Sequence, residues 1–279
     1  MNALNKSLLQ KMSKIYETSA FKTYLRYSSP NVEIESKIFI EMSIPDALYE
    51  GDNLNSKEIP SMVKHDLDLP FRINMKNYDK NKFIKMRIIS QNDWGTIDWK
   101  TGQLIDPDWE WVKLPVAVVF LHGGGFVFGS SGTYQYIIRK YAVETGYPIF
   151  AIDYRLAPEF KFPTQTNDCF QAYLWVRYYS EKYLKVKFDK IILLGDSAGG
   201  WLSFSLWSTA IRKRWITPDG MVLVYPGFCV DRTNFTPSLL LSADEPYLNV
   251  FFVDFCLSSY ITDEGISSNY LASPQNTPK

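Results

Sequence analysis

After Pro115 the chain settles into a regular alternation of short apolar runs and longer mixed stretches. VAVVFL at 116–121, PIFAID at 148–153, KIILLG at 190–195 and GMVLVYP at 220–226 are rich in Val and Ile. Their length and β-branched content predict buried strands. Between them Tyr134–Thr145, Thr164–Tyr183 and Ser197–Lys213 have helical length. Buried strands alternating with helices predict a mostly parallel sheet covered on both faces, an α/β fold with one sizeable core. Sites on such sheets lie at the carboxyl ends of the strands.

The sequence before residue 111 is less regular. Residues 1–28 carry Leu8, Leu9, Met12, Ile15, Tyr16 and Phe21 near helical spacing and are expected to form an amphipathic helix. It is closed by Ser28-Ser29-Pro30, because proline disfavours helix in the residue before it. From Asn31 to Pro70, Pro45, Gly51, Pro60 and Pro70 sit among polar residues and predict irregular cover or a small cap. FIKMRIIS at 83–90 predicts a strand. Trp94, Trp99, Trp109 and Trp111 then interleave with Asp, Gly and Pro. Such a cluster can grip a sugar or a lipid tail, although packing between loop and sheet is its commoner use. The organisation expected is a helical and irregular cap or cover over 1–110 and the α/β core over 111–279.

Composition narrows the function classes. With 46% hydrophobic and 22% charged residues the chain has the make-up of an ordinary globular protein. Lys plus Arg and Asp plus Glu both number 30, so no basic field offers itself to a nucleic acid. The cysteines, Cys169, Cys229 and Cys256, show no metal-type spacing and are expected to be buried thiols in a reducing, cytoplasmic setting. The early apolar positions are broken by Lys, Asn and Glu, unlike a signal peptide. Tyr247–Ile261 is too short and, with Asp254, too charged to span a bilayer. Nothing in the pattern calls for a cofactor or a metal.

Two motifs carry chemistry. Gly195-Asp196-Ser197-Ala198-Gly199 joins an apolar strand to a helix. A strand turning sharply into a helix needs small residues two before and two after the crowded position, and it presents the serine at the helix N-terminus. The competing explanation is a Gly-rich turn with an idle serine. His122-Gly123-Gly124-Gly125 follows another strand, and its glycines let backbone N–H groups approach a ligand. Such amides stabilise the oxyanion of acyl transfer, and Gly124 and Gly125 are the expected donors, joined by Ala198. The alternative, a phosphate loop, lacks its following Lys-Ser/Thr. His122 is expected to fix the loop by hydrogen bonding, with Gly123 and Asp196 in support.

These residues, His122-Gly-Gly-Gly, Asp153-Tyr-Arg-Leu-Ala-Pro-Glu159 and Gly195-Asp-Ser-Ala-Gly-Gly200, resemble the hormone-sensitive-lipase family of α/β-hydrolases. PDGMVLVYPGF and PSLLLSADEPYLNVFFVDFCLSSYI are most similar to its eukaryotic members. The resemblance spans about residues 113–272. It implies a carboxylic-ester hydrolase acting on acylglycerols, sterol esters or small apolar esters, with Ser197 as nucleophile. It also implies a buttressing role for Asp153 and Arg155, and peripheral contact with lipid droplets or a membrane surface.

A serine nucleophile needs a base oriented by a carboxylate, and in α/β-hydrolases both follow the serine in sequence. The two histidines here, His65 and His122, both precede Ser197. Asp219, Asp231, Asp244, Asp254 and Asp263 follow it, but none comes after a further parallel strand, so surface or capping roles are expected. The triad acid and histidine are thus absent, and the sequence reads as an esterase core ending before its last strands. The alternatives are a small-molecule-binding relative that has lost its histidine, as plant hormone receptors of this family have, and a fragment completed by a partner.

Overall fold

The computed structural model describes residues 34–41, 83–90, 97–98, 103–104, 112–212, 215–230, 237, 241, 245, 248–261 and 269–276. The helix expected over 1–28, most of 31–70, His65, the four tryptophans between 94 and 111, Asp231, Asp244 and Asp263 lie outside the described residues.

In chain order the described elements are β1 (Ile34–Glu41), β2 (Phe83–Ser90), β3 (Ile97–Asp98), β4 (Gln103–Leu104), β5 (Val112–Leu121), α1 (Gln135–Thr145), β6 (Ile149–Asp153), α2 (Thr164–Leu184), β7 (Val186–Asp196), α3 (Ala198–Arg212), β8 (Gly220–Val224) and α4 (Val250–Tyr260), with a single 3-10 turn at Pro274–Asn276. The four apolar runs after Pro115 and the three helical stretches all take the predicted form, their ends shifted by a few residues. A six-stranded sheet runs β1-β2-β6-β5-β7-β8, while β3 and β4 pair separately. The pairs β6–β5, β5–β7 and β7–β8 are parallel, and β1–β2 and β2–β6 are antiparallel.

β1 falls within a stretch whose prolines and polar residues predict irregular cover, and it corrects that expectation. IESKIFIE alternates Ile34, Ser36, Ile38 and Ile40 with Glu35, Lys37, Phe39 and Glu41, and it pairs with β2 along its whole length. A charged outer strand suits the edge of a sheet. β1 and β2 thus join the sheet from the region ahead of residue 111, so both sides of the 110/111 boundary contribute to one sheet.

The two faces of the sheet are filled by alternate residues of the same strands. Val116, Val118 and Phe120 of β5 pack with Ile149 and Ala151 of β6 against Ile138 and Ala142 of α1. Ala117, Val119 and Leu121 turn the other way, into the cluster holding Phe170 and Trp175 of α2 and Leu202 and Leu206 of α3. α1 therefore covers one face, and α2 and α3 the other. Pro115, which has no N–H for the ladder, is skipped in the β5–β7 register between Leu114↔Phe188 and Val116↔Lys190.

Helix direction changes face between two adjacent strands. β5 leads into α1 on one face, and its neighbour β7 leads into α3 on the other. The crossovers therefore part between the carboxyl ends of β5 and β7 and leave a crevice there. Leu121↔Gly195 register sets the ends of these strands side by side. His122–Gly125 leaves one end and Asp196–Ser197 the other.

Candidate active site

Ser197 sits at the turn from β7 into α3 with φ 51°. This left-handed backbone is costly for a residue with a side chain, on the order of 1–3 kcal/mol, and persists only where its surroundings impose it. Those surroundings are tight. The Ser197 N–H donates to the Val224 carbonyl at 2.9 Å, tying the turn to the end of β8. A methyl group on Gly199 would lie 2.5 Å from the Leu121 carbonyl carbon and 2.7 Å from the His122 carbonyl oxygen. Without that glycine, α3 could not approach the end of β5. The predicted requirement for a small residue after the serine is thus met by contact with another strand. Ser197 itself stays half-buried while Ala198, Gly199 and Gly200 are buried beneath it.

The His122–Gly125 loop is pinned at several points. His122 is buried, its ring stacked on Tyr154 with centroids 4.3 Å apart and 13° between planes. His122 Nδ1 lies 2.7 Å from the Gly123 carbonyl, and since a carbonyl only accepts, that nitrogen carries the proton. The Tyr154 hydroxyl donates to the His122 carbonyl at 2.7 Å. Burial pushes the His122 pKa below its ordinary value, against the opposing pull of Asp153, so the ring is neutral. These bonds hold the His122–Gly123 backbone in place. Gly124, at φ 113°, accepts from Phe128 N at 2.9 Å and Val127 N at 3.1 Å, closing a tight turn that its missing side chain permits.

One carboxylate joins the two motifs. Asp196 Oδ1 accepts from the Gly123 N–H at 3.0 Å, and Oδ2 accepts from the Tyr134 hydroxyl at 2.8 Å. Tyr134 was legible only as the start of a helix. Its ring lies 5.5 Å from Phe120 and 5.8 Å from His122, centroid to centroid. Burial and the neighbouring Asp196 charge push its phenol pKa well above the ordinary value, keeping the O–H a donor.

Beneath the loops, Asp153 meets Lys85 at 2.8 Å and accepts from the Ser131 hydroxyl at 3.0 Å and the Ser131 amide. Burial alone would raise its pKa, but Lys85 and Arg87 prevail and hold it at about 2. Arg155 grips Asp168 bidentately, through Nε and Nη2 at 2.9 Å each, and its backbone N–H adds a third bond at 3.0 Å. The Asp168 side chain is fully buried. Lys85 and Asp168 carried no sequence signal, since each gains meaning only from a partner far along the chain.

Over the loop lies α4. Phe128 stacks with Phe252 and Phe255 at 5.7 and 6.3 Å, and Phe126 stacks on Tyr260 at 3.9 Å. A methyl on Gly125 would come within 2.5 Å of Cys256 Sγ. Cys169 and Cys256 are buried free thiols, as expected. Cys229 departs from that expectation: it is half-buried, and its sulfur accepts from Gln275 Nε2 at 2.8 Å.

The structure thus gathers Ser197, Ala198, Asp196, His122, Gly123, Gly124 and Gly125 around the β5–β7 crevice. Asp219, just ahead of β8, accepts from the Ile191 amide in the middle of β7 at 2.8 Å and from Arg177 at 3.2 Å. Among the described residues no cluster of His, Cys, Asp and Glu has the make-up of a metal site. No helix among them is long and apolar enough to cross a membrane.

A family model described as the alpha/beta hydrolase fold matches residues 118–278. Over 143 residues the chain is 38% identical to hormone-sensitive lipase of Mus musculus, covering 51% of this chain and 19% of that protein. It is 34% identical over 111 residues to an ethyl acetate hydrolase of Pseudomonas putida, covering 39% of this chain and 35% of that one. A Pyrobaculum calidifontis esterase structure aligns with 96% of this chain and 68% of its own, with a TM-score of 0.66 and 23% identity. The chain spans about a fifth of the length of the mouse lipase.

Proposed function

The chain belongs to the α/β-hydrolase fold family, and on that premise we propose that it is the nucleophile-bearing part of a serine carboxylic-ester hydrolase. The observation that carries the proposal is Ser197, held at φ 51° on the turn between β7 and α3, across the crevice from the glycine loop. The relatives named as lipases and esterases support the same chemistry.

In this mechanism Ser197 Oγ attacks the ester carbonyl carbon, and the C=O electron pair moves onto the oxygen. The Gly123 amide is committed to Asp196, so Gly124, Gly125 and Ala198 supply the amides for the resulting oxyanion. Collapse expels the alkoxide, which leaves as alcohol with the serine's proton. Water then releases the acid from acyl-Ser197. The Ser197 proton must pass to a base. His122 is unsuited to this, because its ring is buried and its Nδ1–H is spent on Gly123. His65 is the remaining histidine.

The substrate proposed is an apolar acyl ester. Phe128, Phe252 and Phe255 form an aromatic wall beside the oxyanion loop that suits an acyl chain. Leu248, 53% exposed, and Phe251, 85% exposed, are the side chains proposed for peripheral contact with a lipid surface.

A fluorophosphonate probe tests the assignment. The probe should mark the peptide containing Ser197, and Ser197→Ala should abolish the label. Labelling that survives the substitution would exclude Ser197 as nucleophile. A second proposal, apolar-ligand binding without turnover, is favoured by the commitment of His122 to the loop. It predicts saturable binding of an apolar ester with no alcohol released.

A further inference from the structure

The oxyanion loop and the nucleophile turn come from different strands, and their relative height decides whether the amides can meet an oxyanion. The link between them is the Asp196 side chain. One oxygen is held by the Gly123 N–H at 3.0 Å and the other by the Tyr134 hydroxyl at 2.8 Å. Tyr134 stands at the N-terminal end of α1, on the opposite face of the sheet from α3. A Cβ on Gly123 would lie 2.8 Å from the Tyr134 hydroxyl oxygen and 2.5 Å from Asp196 Oδ2, so the loop is packed directly beneath both groups.

We infer that Tyr134 is a positioning residue for the oxyanion loop, acting through Asp196. The inference rests on the proposed role of Ser197 and the loop amides. The carboxylate is held by the Gly123 amide and the Tyr134 hydroxyl, with the exposed Tyr225 hydroxyl as a further partner, so it can turn neither away from Gly123 nor toward Ser197. Loss of the phenol leaves Asp196 only the Gly123 amide and the exposed Tyr225 hydroxyl, and the carboxylate then swings about Cβ and carries the Gly123 amide with it. Gly124 and Gly125 follow, because the Gly124 turn is rigid. Tyr134 itself touches no reacting atom in this scheme.

Two measurements on Tyr134→Phe, Asp196→Asn and Asp196→Ala test it. The first is amide hydrogen exchange of a peptide covering 122–128. The second is affinity for an arylboronic acid, whose boron takes the Ser197 Oγ electron pair, releases the serine proton to buffer and presents a negative oxygen to the loop. Removing one hydrogen bond to a charged group corresponds to a change of about tenfold. Tyr134→Phe should speed exchange and weaken the boronate by about that factor, with exchange in α2 unchanged. Asp196→Asn keeps an acceptor for Gly123 and should stay nearer the parent than Asp196→Ala.

Unchanged exchange in Tyr134→Phe overturns the inference, whether or not boronate affinity falls. Where the parent binds the boronate, faster exchange without weaker binding also overturns it, since the loop would then move without consequence for the site. Failure of the parent protein to bind the boronate, with exchange still faster in Tyr134→Phe, would instead strike at the role of Ser197 and leave the latch on the loop standing.

Discussion

The close approach of α3 to the end of β5 can be tested at Gly199. Its φ lies outside the left-handed region, so alanine would suit the helix and add about 1 kcal/mol of propensity. The clash alone makes the substitution unfavourable. The new methyl would stand 2.5 Å from the Leu121 carbonyl carbon, 2.7 Å from the His122 carbonyl oxygen and nearer still to the Leu121 oxygen. All three are backbone atoms held in or beside a sheet, so they cannot rotate away. Ordinary contact requires about 3.5 Å, so α3 must retreat by roughly an ångström. That movement would loosen Leu202, Leu206 and Ala210, all at 0% exposure. Overpacking of this kind costs about 3 kcal/mol at the upper end of its range, leaving a net loss of about 2 kcal/mol. At roughly 2–4 °C per kcal/mol, the melting temperature should fall by about 4–8 °C. Thermal unfolding followed by circular dichroism measures this directly. Gly220→Ala is the control, since its methyl would meet only Ile192 Cγ1, at 3.9 Å. It should leave the melting temperature unchanged or slightly raised. A Gly199→Ala protein melting within about 1 °C of the parent would refute the argued need for that approach.

Arg155→Met should cost about 3–5 kcal/mol in urea unfolding, because it strands the buried Asp168 carboxylate; Arg155→Met with Asp168→Leu should recover most of that loss. A single substitution costing under about 1 kcal/mol would show that the pair is dispensable. His122 gives a pH signature whose sign follows from its lowered folded-state pKa. The unfolded chain binds the proton more readily, so the stability tied to neutral His122 is complete above about pH 6.5 and is lost as pH falls toward the folded pKa. The parent should therefore lose stability relative to His122→Asn below about pH 6.5, by up to about 1.4 kcal/mol per pH unit. A difference that stays flat between about pH 5 and 7.5 would count against a buried neutral ring.

The elements after Pro115 were legible because two codes agreed there. Runs such as KIILLG are too short for helices and too continuous for a half-exposed strand, and the stretches between them have helical length. β1 was not legible, because its alternation carries Glu35, Lys37 and Glu41 and prolines follow it. Its pairing with β2, absent from the sequence, is what makes it a strand. The nucleophile turn and the glycine loop could be found because their spacing is local. The groups that hold them could not: Tyr134 is 62 residues from Asp196, and Gly123 is 73 from it. A tyrosine at a helix start looks the same whether its hydroxyl faces water or a carboxylate.

What brings those distant groups together is strand order. The chain makes β5, β6 and β7 in succession, but the sheet places β5 between the other two. Going from β5 to β6 moves outward in one direction, and from β6 to β7 it must return past β5. Right-handed crossovers then put α1 and α2 on opposite faces, and α3, continuing in the second direction, shares the face of α2. The loops leaving β5 and β7 consequently diverge, one upward into α1 and the other downward into α3. Neither helix fills the space between the strand ends. Residues that must meet there need short side chains or none, which is why the crevice is bounded by Gly123, Gly199 and Ser197. Asp196, a longer side chain spanning it, is held at both oxygens. The handedness of two crossovers thus sets where Ser197 can face the glycine loop, before any requirement of ester chemistry applies.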